Sequence, residues 1–185
     1  MAQKSTLFTL MGLDVTITPR VLITYVALAV VLTLIALLLG LSLIEAVIAG
    51  LIAALLHYAL GLAHHIGHAI AARRTGYPMS GIHFWGILAT SVYPRDKLEL
   101  PGSVHIQRAL GGPIASGILS IVLAILAALV RPPDTLLDWL IIFALTDNVL
   151  TFTIGVLLPL RNIAGIETDM DTLLKWSGMR DSSRG

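Results

Sequence analysis

Three stretches of this chain, residues 21–44, 46–72 and 109–130, contain no Asp, Glu, Lys or Arg, and a fourth, 139–160, contains only Asp147. A helix needs about 20 consecutive apolar residues to cross the hydrocarbon core of a bilayer. Each window is long enough. Charged residues make up 12% of the chain, half the roughly 25% of soluble domains, and these windows account for the deficit. The pattern restricts the chain to an all-α, polytopic membrane protein with about four spans. The net charge of +1 comes without a basic cluster, so no nucleic-acid partner is expected. There are no cysteines, which excludes a disulfide framework and thiolate metal sites. The first apolar run starts only at Val21 and no small-residue cleavage site follows it, so it reads as a retained span.

The punctuation between the windows gives the plan. Two β-rich runs, 6–10 and 14–18, flank Gly12 and read as a hairpin within 5–18, ahead of the first span at about 21–39. Ser42 and Glu45 have the S-x-x-E spacing of a capping box, which starts the second span, about 43–74, and leaves Glu45 no role at the histidines below. That span ends at Thr75-Gly76-Tyr77-Pro78. "GIHFWGILATSVYPRDKLELPG" then reads as one or two strands at the membrane edge, chiefly over 82–93. Spans at about 106–130 and 135–158 follow, joined by an "RPPD" turn, and a polar tail at 159–185 closes a single membrane domain, 1–185. Every lysine and arginine except Arg131 falls on one side of this plan, so both termini and the β element are expected on the cytoplasmic side.

The second span carries the chemistry. His57, Gly61, His64 and His68 recur at spacings of four, three and four that keep them on one helical face. His64 and His68, four apart, can direct two ring nitrogens at one metal ion. His57 lies about 10 Å along the axis from His64, too far to share that ion. Gly61 leaves bare backbone between them. Histidines inside a bundle commonly serve only as hydrogen-bond partners, but an i, i+4 pair in an otherwise uncharged span is costly and points to function. Zinc sites with two histidines usually add a carboxylate and keep a fourth position for water. The candidates are Asp147, mid-span beside Asn148 and equally suited to an Asp/Asn hydrogen-bonding role between helices, and Asp169 or Asp171, both better placed after the fourth span.

The same segments resemble the site-2 proteases, a family of intramembrane zinc metalloproteases. "FTLMGLDVTITP" is similar to that family's N-terminal hairpin, and "HHIGHAIAARRTGYP" to its zinc helix, normally H-E-x-x-H. "RALGGPIASGILSIVLAIL" is similar to its third-span opening, although a Gly-Pro pair such as Gly112-Pro113 commonly marks only the tight start of a helix. "LLPLRNIAGIETDMDTLL" is similar to its last motif, a Leu-Pro turn followed by an Asp-Gly ligand. The resemblance implies one zinc ion held by His64, His68 and Asp169, a membrane protein or peptide as substrate, the lipid bilayer as setting and a prokaryotic cell membrane as location. Three departures stand out. His65 replaces the glutamate of H-E-x-x-H, Met170 replaces the glycine after the ligand aspartate, and Val156 stands where the family often has asparagine.

The glutamate of such sites takes a proton from water and passes it to the leaving amine. A neutral His65 imidazole can do so, with an unperturbed pKa near 6.5. The dication beside it opposes the imidazolium that forms, and His65 could instead fill the open metal position. Glu167, two residues before Asp169, offers a further carboxylate. The expectation is therefore a metalloprotease with His65 as its base, with a client-binding pseudoprotease as the alternative. A histidine-based metal-handling protein is less favoured, because no acidic chain continues across the bilayer.

Overall fold

The computed structural model describes residues 5–94, 100–130, 135–161 and 167–182. Four long apolar helices form the bundle: α1 (Arg20–Leu38), α2 (Leu43–Arg74), α3 (Gly102–Leu129) and α4 (Leu136–Asp147), the last prolonged to Leu157. Their length and apolar surface are those of an integral membrane protein. Leu22, Ile23, Ile118 and Ile121 are among many large side chains left more than half exposed, as a lipid-facing surface requires. α2 begins with the Ser42/Glu45 capping box and breaks after Thr75, where Gly76 takes a left-handed φ of 81°. The "RPPD" turn, 131–134, lies outside the described residues.

Helices in lipid gain most from close van der Waals approach, which small residues permit. α2 supplies them on two sides. Against α1, a Cβ on Gly50 would lie 2.5 Å from the Ala29 carbonyl oxygen. Against α3, Gly67 and Gly111 meet backbone to backbone: a Cβ on either would fall 2.4–2.5 Å from the other's carbonyl oxygen. The second crossing adjoins His68 and Gly112 and sets the spacing at the site.

The β element is one four-stranded sheet in the order β1-β2-β3-β4: β1 (Ser5–Leu10), β2 (Leu13–Ile17), β3 (Gly81–Phe84) and β4 (Ala89–Val92). The N-terminal hairpin turns at Met11 and Gly12, both with positive φ. β2 pairs parallel with β3 in the register Val15↔Ile82, and β3 pairs antiparallel with β4 in the register Ile82↔Ser91. Leu13, Val15, Ile82 and Phe84 pack on Ala69 and Ala72 of α2. The β3–β4 hairpin follows α2 inward from its C-terminal end. The turn after β3 brings the Ile87 carbonyl within 3.1 Å of His57 Nε2. His57 lies 17 residues before Arg74, about 25 Å along the helix axis, so the β3–β4 hairpin runs deep beside α2.

Two expectations change. The fourth span is not a uniform α-helix: it passes into a π-helical stretch, Asn148–Ile154, and a single 3-10 turn, Gly155–Leu157. π-helical turns recur at functional sites, and this one buries Asn148 and Phe152. The polar tail contains a helix, α5 (Asp169–Ser182). It opens with a Thr168/Asp171 capping box: Thr168 N–H and Oγ–H donate to Asp171 Oδ2 at 2.9 and 2.8 Å, and Asp171 N–H lies 3.4 Å from Thr168 Oγ1.

Candidate metal centre

His64 and His68 project from α2 toward α3, one turn apart and almost fully buried at 3% and 4% exposure. Their Nε2 atoms face each other at 3.0 Å. The carboxylate of Asp169, the first residue of α5, closes the group: Oδ2 lies 3.2 Å from His64 Nε2 and Oδ1 lies 3.4 Å from His68 Nε2. Three donor atoms from two elements far apart in sequence thus converge on one point.

The donor chemistry fits a metal. His68 Nδ1 is 2.8 Å from the Arg108 carbonyl, which only accepts, so Nδ1 carries the proton and Nε2 presents a lone pair. The Gly112 amide, 3.2 Å from the same Nδ1, is then a neighbour rather than its donor. His64 Nδ1 meets Ser116 Oγ at 3.0 Å, and when Nδ1–H donates to that hydroxyl Nε2 is left with a lone pair. Asp169 Oδ2 is buried and makes no hydrogen bond, despite its closeness to His64. Lone pairs converging in this way repel unless a cation lies among them. A tetrahedron of zinc–ligand bonds near 2.05 Å has edges of about 3.3 Å, and the two Nε2 atoms, 3.0 Å apart, are near that spacing, with one carboxylate oxygen within 3.2–3.4 Å of each. Gly112 leaves the room: a Cβ there would sit 2.4 Å from both Nε2 atoms.

Supporting contacts reach outward from the ligands. Asn148, wholly buried, donates from Nδ2 to the Ser116 carbonyl and to Ser120 Oγ, both at 2.8 Å, and so braces the turn of α3 that holds His64. Hydrogen bonds that fix the second ring nitrogen are what orient a metal-binding imidazole. Ser116, Asn148 and the Arg108 carbonyl are functional contacts that the sequence reading missed. A serine four residues after Gly112, on the α3 face toward the histidines, was the available signal for Ser116. Nothing in the sequence marks the carbonyl.

The remaining candidates fall elsewhere. Asp171 is engaged in its capping box and in a contact with the Arg161 amide, and it is not among the converging ligands. Glu167 is more than half exposed, 3.9 Å from Arg161. Asp147 accepts at Oδ2 3.0 Å from His57 Nδ1 and at Oδ1 from Thr151 Oγ1. It is therefore a partner of His57 rather than of Asn148. His65, about 100° round α2 from His64, faces β4: its Nδ1 meets Ser91 Oγ at 3.0 Å and its ring centre lies 5.4 Å from those of His64 and His68.

A cleft of about 730 Å³ opens over this group, lined by His65, His68, Asp169, Arg108 and the β4 residues Ala89, Thr90 and Ser91. β4 is the last strand of the sheet, so its outer edge lies along the cleft.

No protein-family model and no curated protein matches the chain. Among solved structures, it is similar to the site-2 protease from Methanocaldococcus jannaschii, with 19% identity, a TM-score of 0.60, and coverage of 93% of this chain and 70% of that one. The chain shares the fold of that site-2 protease.

Proposed function

We propose that this chain is a site-2-protease-like zinc metalloprotease that hydrolyses peptide bonds of membrane-associated substrates. The observation that carries the proposal is the convergence of His64 Nε2, His68 Nε2 and the Asp169 carboxylate at the floor of a cleft walled by an edge strand. Zinc held by those residues would polarise a peptide carbonyl and lower the pKa of water. An unwound substrate segment pairs with the free edge of β4, adding a strand to the sheet and presenting its backbone to the site. His65, beside the ligands in the cleft wall, takes the proton of the attacking water on the ring nitrogen not engaged by Ser91 and returns it to the leaving amine. Both termini face the cytoplasm in this reading.

One observation favours a second reading, a pseudoprotease that binds clients without cutting them. Ser91 Oγ holds one His65 nitrogen and the Ala89 carbonyl is a further acceptor beside the ring, which suits a strut tying β4 to α2 better than a mobile base. The test is zinc content of the purified protein, with cleavage of an unfolded membrane-derived substrate by natural protein, His65→Ala and His65→Glu. Cleavage abolished by His65→Ala supports histidine as the base. For a weak base, His65→Glu raises the rate by about 10²-fold, the order of positioned general-base catalysis. Zinc bound by all three forms with cleavage by none supports the pseudoprotease.

A further inference from the structure

The cleft contains a buried cation that hydrolysis does not use. Arg108 on α3 is 6% exposed, and among the described residues it has no carboxylate within 4 Å. One Nη donates to the Tyr77 carbonyl, the guanidinium lies 4.2 Å from the centre of the Tyr93 ring, and Nε is buried without a hydrogen-bond partner. A guanidinium offers five N–H donors in a planar fork that matches a carboxylate. Burying it without an anion is costly, because a ring face and one carbonyl replace only part of its hydration. The backbone of the same residue orients His68, so this cation is fixed beside the metal ligands.

The surrounding wall carries one further cation, Lys175. His105, one turn earlier on α3, stacks on Trp176 of α5 at 4.1 Å, and the exposed Lys175 ammonium lies 5.4 Å from that indole. All three line the cleft. Of the acids lining it, Asp169 faces the two imidazoles and Glu167 faces Arg161. Arg108 and Lys175 are therefore the cations of the cleft left without an acidic partner among the described residues.

We propose that Arg108 is a specificity residue that binds a carboxylate of the peptide lying along β4, either its C-terminus or an acidic side chain near the metal centre. The proposal rests on the peptide-binding reading of the cleft, not on cleavage. The test uses zinc-loaded protein in detergent and a short labelled peptide in four versions, combining C-terminal acid or amide with a central Asp or Asn. Affinity is read by fluorescence anisotropy whether or not the peptide is cut, so failure of the hydrolysis test leaves this one intact. The natural protein is expected to prefer the acid by about 10-fold or more at one of the two positions, which identifies the source of the carboxylate. Arg108→Gln is expected to erase the ratio and Arg108→Lys to retain part of it. A clasp that only holds Tyr77 and Tyr93 would weaken all four peptides together and leave the ratio unchanged. Should Arg108→Gln fail to hold zinc, Lys175→Gln at the exposed rim is expected to reduce the ratio by about 2-fold. Equal binding of all four peptides, binding of none, or a ratio that survives the variants overturns the proposal.

Discussion

Gly112→Ala is the sharpest test of the metal centre, because it adds one methyl group and changes no ligand. The added Cβ would lie 2.4 Å from His64 Nε2, 2.4 Å from His68 Nε2 and 2.5 Å from His64 Cε1, where ordinary contact begins at 3.4 Å. Each ring must therefore retreat by about 1 Å, while metal–ligand distances tolerate only about 0.2 Å. The helices cannot separate to make room, since Gly67 and Gly111 are already in backbone contact one residue away. Nor can the rings swing freely, because Ser116 and the Arg108 carbonyl hold their other nitrogens. Disturbing such outer contacts alone typically costs 10–100-fold in metal affinity, and a direct clash with both ligand atoms should cost at least as much, about 1.4–2.8 kcal/mol. The assay is competition for zinc against a chromophoric chelator in detergent. Gly117→Ala, in the same helix with nothing within 4 Å of its Cβ, is the matched control and should bind as the natural protein does. Natural affinity in Gly112→Ala would refute the placement of the ion between these nitrogens.

Asp169→Ala should strip most bound zinc, whereas Asp171→Ala should keep it and lose about 1 kcal/mol of stability from the α5 cap, both read by metal analysis and thermal melts. His57→Ala should leave zinc in place but lower the melting temperature by roughly 10 °C, since removing one member of a buried pair strands Asp147; His57→Leu with Asp147→Leu should recover much of that loss. Reporter fusions at Gly185 should report the cytoplasm, as the lysine and arginine distribution requires, and an external C-terminus would reverse the assigned orientation.

The spans were legible because charge is so costly in a bilayer that its absence over twenty residues has few other causes. The i, i+4 histidines were legible for a related reason. The choice between Asp169 and Asp171 could also have been read: Thr168-x-x-Asp171 is the same capping pattern that located the start of α2 at Ser42 and Glu45. Once Asp171 is assigned to the cap, Asp169 remains as the candidate ligand. The depth of the β3–β4 hairpin could not be read. Apolar strands at a membrane edge and strands packed against α2 have the same composition, and the difference depends on the long-range pairing of Val15 with Ile82. The π-helical turn was hidden likewise, because helical periodicity does not record a single widened turn. Gly112-Pro113 read as a tight entry within the third span; in α3 the pair marks the place where the helix yields space to His64 and His68.

The four positions of the α2 stripe share a face but not a task. His57 has acceptors at both nitrogens, the Asp147 carboxylate and the Ile87 carbonyl. One proton beyond neutral imidazole and carboxylate satisfies all three groups, and the pair then carries no net charge, which is what burial in a membrane demands. That arrangement locks α2, α4 and the hairpin turn together and leaves His57 no lone pair for a metal. Two turns further on, Ser116 and the Arg108 carbonyl meet His64 and His68 at Nδ1, and the Nε2 atoms turn toward each other and Asp169. The boundary between the two stations is Gly61, where a Cβ would meet the Phe152 ring at 3.3 Å. Phe152 lies between the histidines, its ring centre 5.3 Å from that of His57 and 5.9 Å from that of His64. The widened turn of α4 that buries this phenyl ring thus separates a structural histidine from two chemical ones on a single helical face.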